Sequence, residues 1–300
     1  MKVLVTGSEG NIGRKLVPYL KSMKHEVFCV DIKQEYRDDY IISDITNPIE
    51  LTDIIVRFQP DVVVHLAAMV SRITCEKSSA MTVNSNLCGL NNIINLCKIN
   101  NSKLIYFSTS EIYGNIGGVL YEDREDIKPN NRYGLSKYLG EKLVEYEVEY
   151  HNLDAIIVRP FMFYDEDENF GENRSAMIRF VEGLIKNEKI EVHKGAERSW
   201  LHISDAVKLI EKTFYLDEFE IINLASNEVI RMEQFARMLC NILNKKYELL
   251  CDEINIPNQM TLEKIPSTSK MFDLLKYIPK VDIETGLNLV VEKVKIRLGV

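Results

Sequence analysis

Tyr133 and Lys137, in the run Asn130-Asn131-Arg132-Tyr133-Gly134-Leu135-Ser136-Lys137, have the types and the spacing for acid–base chemistry on a hydroxyl. On a helix, residues four apart share a face, so the lysine ammonium would lie beside the phenol and favour its ionised form. Such a tyrosine can act as a base near neutral pH. The spacing alone is common, and an ordinary solvated helix face carries it as readily. Far upstream, Gly7-Ser8-Glu9-Gly10-Asn11-Ile12-Gly13 places three glycines between a strand and a helix. Glycine there permits a tight turn and close approach of backbone to a pyrophosphate, which rests on amide donors at the helix N-terminus. Asp31, at the tip of the next strand, can accept hydrogen bonds from both adenosine ribose hydroxyls and repels a 2′-phosphate. NAD is therefore expected over NADP, although Lys33 nearby could soften that repulsion.

These residues need elements that bring both ends of the first half together. Residues 2–6, 26–31, 62–66, 103–108 and 155–158 read as apolar strands, and 12–21, 48–58, 79–99 and 133–150 as helices. Strands this apolar, joined by helices, mean a parallel sheet covered on both faces. Past Arg159-Pro160 the texture changes. Residues 165–174 read as a polar loop of the kind that carries ligand contacts over a sheet edge. Helices follow near 176–186, 204–215, 232–243 and 283–298, with a strand at 220–224. The expected fold is α/β, a Rossmann-like doubly wound parallel sheet over residues 1–160 with a smaller C-terminal α/β substrate lobe over 161–300. Elements at about 200–226 are expected to return to the first lobe.

Composition narrows the partners. The chain has 300 residues, 46% hydrophobic and 27% charged, as in an ordinary globular protein. A net charge of −8 disfavours nucleic acid and anionic membrane, so an anionic ligand must be held by a local cluster of donors. The six cysteines form no C-x-x-C pair and read as buried free thiols, and the five histidines show no metal-ligand spacing, so no metal is expected. The chain opens on a strand rather than a charged leader, and no apolar run is long enough to span a bilayer, which makes the cytoplasm the expected location.

Taken in order, Thr6-Gly7-x-x-Gly10-x-x-Gly13, Asp44-Ile45, His65-Leu66-Ala67-Ala68, Asn86-Leu87-Cys88-Gly89, Ser108-Thr109-Ser110-Glu111-Ile112-Tyr113-Gly114, Tyr133-x-x-x-Lys137, Arg159-Pro160 and Arg198-Ser199-Trp200-Leu201-His202-Ile203-Ser204-Asp205 resemble the extended short-chain dehydrogenase/reductases, and within them the nucleotide-sugar epimerases, dehydratases and decarboxylases. The resemblance covers most of the chain. It implies that Gly7, Gly10, Asn11, Ile12, Gly13, Asp31, Asp44, Ile45, Leu66, Ala67, Ala68 and Asn86 hold NAD, with Tyr133 and Lys137. It further implies a nucleoside diphosphate sugar whose C4 hydroxyl yields its proton to Tyr133 while hydride passes to NAD. Lys137 would bind the nicotinamide ribose and, with the cationic nicotinamide ring, depress the phenol pKa, and Thr109 would direct the hydroxyl.

The fate of the 4-keto sugar depends on Ser110 and Glu111. A C4 ketone acidifies the C5 hydrogen, and Glu111 could remove it, as in sugar 4,6-dehydratases. Thr-Ser-Glu here resembles GDP-mannose dehydratases and UDP-glucuronate decarboxylases. Serine is a poor acid by itself and would need water or Glu111 as relay, and a loop carboxylate without chemistry is the plain alternative for Glu111. Arg198, with Arg174 contributing, resembles the arginine that grips the substrate diphosphate or lies near a glucuronate carboxylate, while Arg179 reads as helix surface. One departure stands out: after Arg159-Pro160 the family has an asparagine where this chain has Met162. Epimerase, dehydratase, decarboxylase and net C4 dehydrogenase all remain open, and a noncatalytic NAD(P)-binding sensor or scaffold is the reading from another class. A homodimer through helices 79–99 and 133–150 is expected by analogy.

Overall fold

The apolar runs form the centre of the molecule. The computed structural model describes residues 1–171, 175–257 and 260–300. Its first half runs β1 (Lys2–Thr6), α1 (Gly13–Ser22), β2 (Glu26–Asp31), β3 (Tyr40–Ile42), α2 (Pro48–Phe58), β4 (Val62–His65), α3 (Arg72–Lys77), α4 (Ser79–Val83), α5 (Gly89–Asn100), β5 (Lys103–Phe107), β6 (Val119–Leu120), α6 (Arg132–His151) and β7 (Ala155–Pro160). The remainder is β8 (Met162–Tyr164), α7 (Ala176–Ile185), β9 (Ile190–His193), β10 (Glu197–His202), α8 (Ile203–Lys212), β11 (Glu220–Leu224), β12 (Val229–Arg231), α9 (Met232–Ile242), α10 (Tyr247–Leu250), β13 (Cys251–Ile254), β14 (Ile265–Pro266), α11 (Ser269–Leu275) and α12 (Ile283–Leu298).

Seven parallel strands pair in the order β11-β7-β5-β4-β1-β2-β3. Val5 pairs with Cys29 on one side and Val64 on the other, and all three are buried, which is why these strands read as continuous apolar runs. Leu16, Leu20, Ile210 and Leu275 cover one face; Leu51, Ile54, Leu90, Ile93 and Val144 cover the other. The doubly wound α/β sheet is as expected. The chain passes outward from β1 to β3, then returns to β4 on the opposite side, so a crevice opens at the carboxyl ends of β1 and β4, where such sheets take ligands.

The second assembly packs α7, α9 and α12 around β8-β10-β12, with Trp200 stacked on Phe235 at 5.2 Å. Helix α8 and strand β11 join the first core, and so does α11 through Met271 and Leu275, a return that sequence periodicity did not single out. Two local features differ from expectation. The helix expected over 79–99 is interrupted by a π-helical turn at Asn84–Cys88, which turns Asn86 inward; Gly89 follows because a β-carbon there would meet Ile45 Cδ1 at 2.5 Å. Cys88 is exposed on that turn, whereas the other five free cysteines are buried. Among the described residues no helix is long and apolar enough to cross a membrane.

Candidate active site

The loop between β1 and α1 is built for a group that needs backbone within reach. Gly7 has φ +73°, and a β-carbon on it would fall 2.6 Å from the Ala67 nitrogen; one on Gly13 would fall 2.5 Å from the Gly7 and Ser8 carbonyl oxygens. Only glycine fits either place. The N–H groups of Asn11, Ile12 and Gly13 donate to no backbone acceptor among the described residues, leaving donors free at the start of α1. Asp31, Asp44 and Ile45 line the same cleft of about 290 Å³ as Gly7, Gly10 and the Leu66-Ala67-Ala68 turn. Asp31 accepts from the Glu9 N–H at 2.9 Å and the Lys33 N–H at 3.1 Å, so its carboxylate is aimed by the loop it closes. Lys33 donates its ammonium to the Glu9 carbonyl at 2.6 Å and Arg37 donates to the Glu9 carboxylate at 2.8 Å. Both cations are thereby engaged by Glu9. These features fit a dinucleotide with a free ribose diol.

Thr109 stands just past β5 and caps the 3-10 turn Ser110–Tyr113, accepting from the Glu111 N–H at 3.2 Å. Tyr133 enters in the first turn of α6 because Asn131 caps that helix, accepting from the Gly134 N–H at 2.8 Å. Gly134 lets the turn lie against the Glu111 carbonyl, which a β-carbon would approach to 2.7 Å. Thr109 and Tyr133 line two adjoining cavities. One, of about 280 Å³, also takes Asn11 and Ile12; the other, of about 380 Å³, takes Ser110, Glu111 and Met162.

The depression expected of the Tyr133 phenol rests on Lys137 together with the cationic nicotinamide ring, and the protein's own groups act on balance in the other direction. Burial pushes the phenol well above its ordinary value, and the Thr109 hydroxyl offsets only part of that. Lys137 shares the helix face, but its ammonium lies over the ring of Tyr106, 4.4 Å from the centroid, instead of on the phenol. Burial in turn draws Lys137 down to about 7, with Glu141 pulling the other way. Asn86 is buried, donates to the Met69 carbonyl at 3.0 Å and Ser136 Oγ at 2.9 Å, and accepts from the Met69 N–H at 2.8 Å. Its amide thereby ties the loop after β4 to α6.

Glu111 meets a partner that nothing in its neighbourhood announces. Its Oε1 pairs with the buried ammonium of Lys264 and its Oε2 accepts from Asn131 at 2.9 Å. Burial alone would raise the carboxyl, yet Lys264, then Arg72, outweigh it and hold it at about 2. Such a carboxylate is ionised at neutral pH and a weak base. Arg198 is also corrected in part: its guanidinium donates to the carbonyls of Glu197, Thr261 and Leu262 at 2.7, 2.7 and 2.8 Å, binding the 261–262 segment to β10 while still bordering a cavity. Besides Lys264, the cations facing the cavities beside it are Arg72, from the start of α3, and Arg179, which is exposed on α7 as the helix pattern read it and also borders the cavities. Met162 borders both cavities, so the thioether does stand where a ligand would lie. Arg174 lies outside the described residues. Arg72 and Lys264 carry no motif, and only the tertiary fold brings them to Glu111.

The arrangement can take a proton from a hydroxyl held between Tyr133 and Thr109, beside a dinucleotide cleft and at the mouth of a cationic cavity. Comparison with known proteins gives the family and the fold. A model of the NAD dependent epimerase/dehydratase family matches residues 3–225. UDP-glucuronic acid decarboxylase 6 of Arabidopsis thaliana is 27% identical over 100% of this chain and 90% of its own. GDP-6-deoxy-D-talose 4-dehydrogenase of Aggregatibacter actinomycetemcomitans is 28% identical over 92% of this chain and 91% of its own. The crystal structure of UDP-glucose 4-epimerase with UDP-glucose from Thermotoga maritima superposes with a TM-score of 0.90 at 22% identity, covering 99% of this chain and 100% of that one, and shows the same fold.

Proposed function

The chain belongs to the NAD-dependent epimerase/dehydratase family, and on that premise we propose that Tyr133, Thr109 and Lys137 carry out oxidation of a nucleoside diphosphate sugar at C4. NAD, when bound, supplies the hydride acceptor. One observation carries the reading: Tyr133 and Thr109 border both the cavity entered from Asn11 and Ile12 and the cavity that holds Glu111, Lys264 and Arg72. A hydroxyl at that junction can donate to the Tyr133 oxygen while Thr109 fixes its direction. Lys137 would hold the nicotinamide ribose from beneath, and the glycine loop with Asp31 would hold the pyrophosphate and adenosine ribose. Arg179 and Arg72 suit the sugar diphosphate, a role for which Arg198 has fewer free donors.

The state of Glu111 bears on the outcome after the ketone. A carboxylate clamped by Lys264 and Asn131 suits positioning better than removal of the C5 proton. We therefore favour C4 redox chemistry or decarboxylation of an acidic sugar over dehydration. Residues 1–160 serve as the cofactor lobe and 161–300 as the sugar lobe, with 200–226 returning to the first. A homodimer is supported by an exposed stripe on α6, Leu135, Leu139, Tyr146 and Tyr150, at helical spacing beside exposed Met81 and Val83.

Incubation of the protein and NAD with UDP-, GDP-, dTDP- and CDP-sugars, followed by mass spectrometry, tests the reading. Loss of two hydrogens or of carbon dioxide from one sugar is the expected result. Unchanged mass calls for a sugar-isomer analysis, and no conversion of any kind alongside tight NAD binding would replace the enzyme reading with that of a noncatalytic NAD sensor.

A further inference from the structure

Lys137 is an isolated charge. It is 3% exposed, and among the described residues its ammonium has neither a hydrogen bond nor an ion pair. Glu141, one turn along α6, is bound by Arg159 through contacts of 2.9 and 2.8 Å. The group beneath the ammonium is the ring of Tyr106, at 4.4 Å. Tyr106 is fully buried on β5, in register with His65 of β4, whose ring stacks on it at 6.3 Å. Its hydroxyl donates to the Lys137 carbonyl at 3.2 Å. Gly140 makes room for that hydroxyl, since a β-carbon there would come within 2.2 Å of it. The sheet, the ring stack and the glycine thus fix one ring directly below one ammonium.

We propose that Tyr106 is a positioning residue for Lys137, its π face seating the ammonium. The inference rests on the reading of Lys137 as the lysine that meets the cofactor. A desolvated cation gains more from a ring face than an exposed one does. Among the other titratable groups facing Lys137 only Glu141 favours the ammonium, and it is shared with Arg159. His65 is held neutral, at about 3, by burial and by Lys137 itself, and the phenols of Tyr106 and Tyr133 are raised by burial. Removing the ring therefore disfavours the ammonium and lowers the pH at which Lys137 loses its proton.

Protein labelled with 13C at lysine Cε, titrated by NMR with Lys137→Met to assign the signal, reads this without any substrate. The wild-type Lys137 signal should titrate below the other lysines. Tyr106→Phe should titrate with it, and Tyr106→Leu should titrate lower by roughly one pH unit. NADH binding, followed by fluorescence, should weaken about tenfold in the leucine variant and hardly at all in the phenylalanine variant. Tyr106→Met repeats the test if the leucine variant does not fold. A leucine variant that loses thermal stability yet titrates like wild type would overturn the proposal, as would a phenylalanine variant shifted as far as leucine. The ring-dependent shift in a protein that binds no NAD would uphold the ammonium's seat and overturn the cofactor reading.

Discussion

Glu111 and Lys264 stand 153 residues apart in sequence and meet as a buried ion pair in the candidate sugar cavity. Because the Glu111 carboxyl is held at about 2 against an ordinary 4.5, its contribution to stability is fully present above pH 4.5 and is lost as pH falls toward 2. Glu111→Gln should therefore lose less stability than wild type over that interval, measured as urea midpoints at successive pH values. Equal slopes in the two proteins would mean that Glu111 is not clamped. At neutral pH the same variant leaves Lys264 buried without its counter-ion, and a loss of about 3 kcal/mol is expected. The placement of the candidate residues was legible at this scale, since Gly7, Gly13, Asp31, Thr109 and Tyr133 lie in local segments whose types and spacing carry their geometry. Lys264 and Arg72 were not, because a single charge in an unremarkable run acquires meaning only from what the fold sets against it. The seat of the Lys137 ammonium was hidden for a related reason: four-residue spacing places two side chains on one face, but the Tyr106 ring marks where the lysine ends.

At the scale of elements, alternation of apolar strands with amphipathic helices foretold β1, β2, β4, β5 and β7 closely, because strands buried on both faces leave little ambiguity in sequence. The two- and three-residue strands β6 and β3 were too short to show a pattern. The π turn at Asn84–Cys88 was hidden inside an uninterrupted helical pattern, since one extra residue per turn disturbs hydrogen bonding more than it disturbs composition. Its effect is local and functional: Asn86 reaches Met69 and Ser136 and so joins the loop over the cleft to the helix bearing Tyr133. The loop between β1 and α1 is as exacting. Gly13→Ala would set a β-carbon 2.5 Å from two carbonyl oxygens, so the loop must shift. NADH affinity should fall by about a hundredfold, as for a misplacement of roughly 1 Å, while circular dichroism stays that of wild type. Undiminished NADH binding in that variant would separate the glycine loop from the cofactor.

Across the whole molecule, two cores share one chain: β11, α8 and α11 leave the second half to complete the first. That interleaving was only partly legible, because a helix shows in its own pattern that it has an apolar face but not which sheet receives it. The stripe of Leu135, Leu139, Tyr146 and Tyr150 is the chief exposed apolar feature on α6. Paired helices from two copies would cover it with an interface of the usual size, of about 1,200–2,000 Å². Leu139→Glu with Tyr146→Glu should convert a dimer into a monomer in sedimentation velocity, and a wild type that is already monomeric at micromolar concentration would remove the dimer. The central claim is that Tyr133 takes the C4 proton of a nucleotide sugar while NAD is reduced. Its most direct test is a single turnover with the sugar identified by the mass-spectrometric screen, following NADH absorbance in wild type and in Tyr133→Phe at matched NAD occupancy. An NADH signal in wild type and a rate lower by about a hundred- to ten-thousand-fold in the variant are the predicted result; a Tyr133→Phe protein that reduces NAD at the wild-type rate would contradict it.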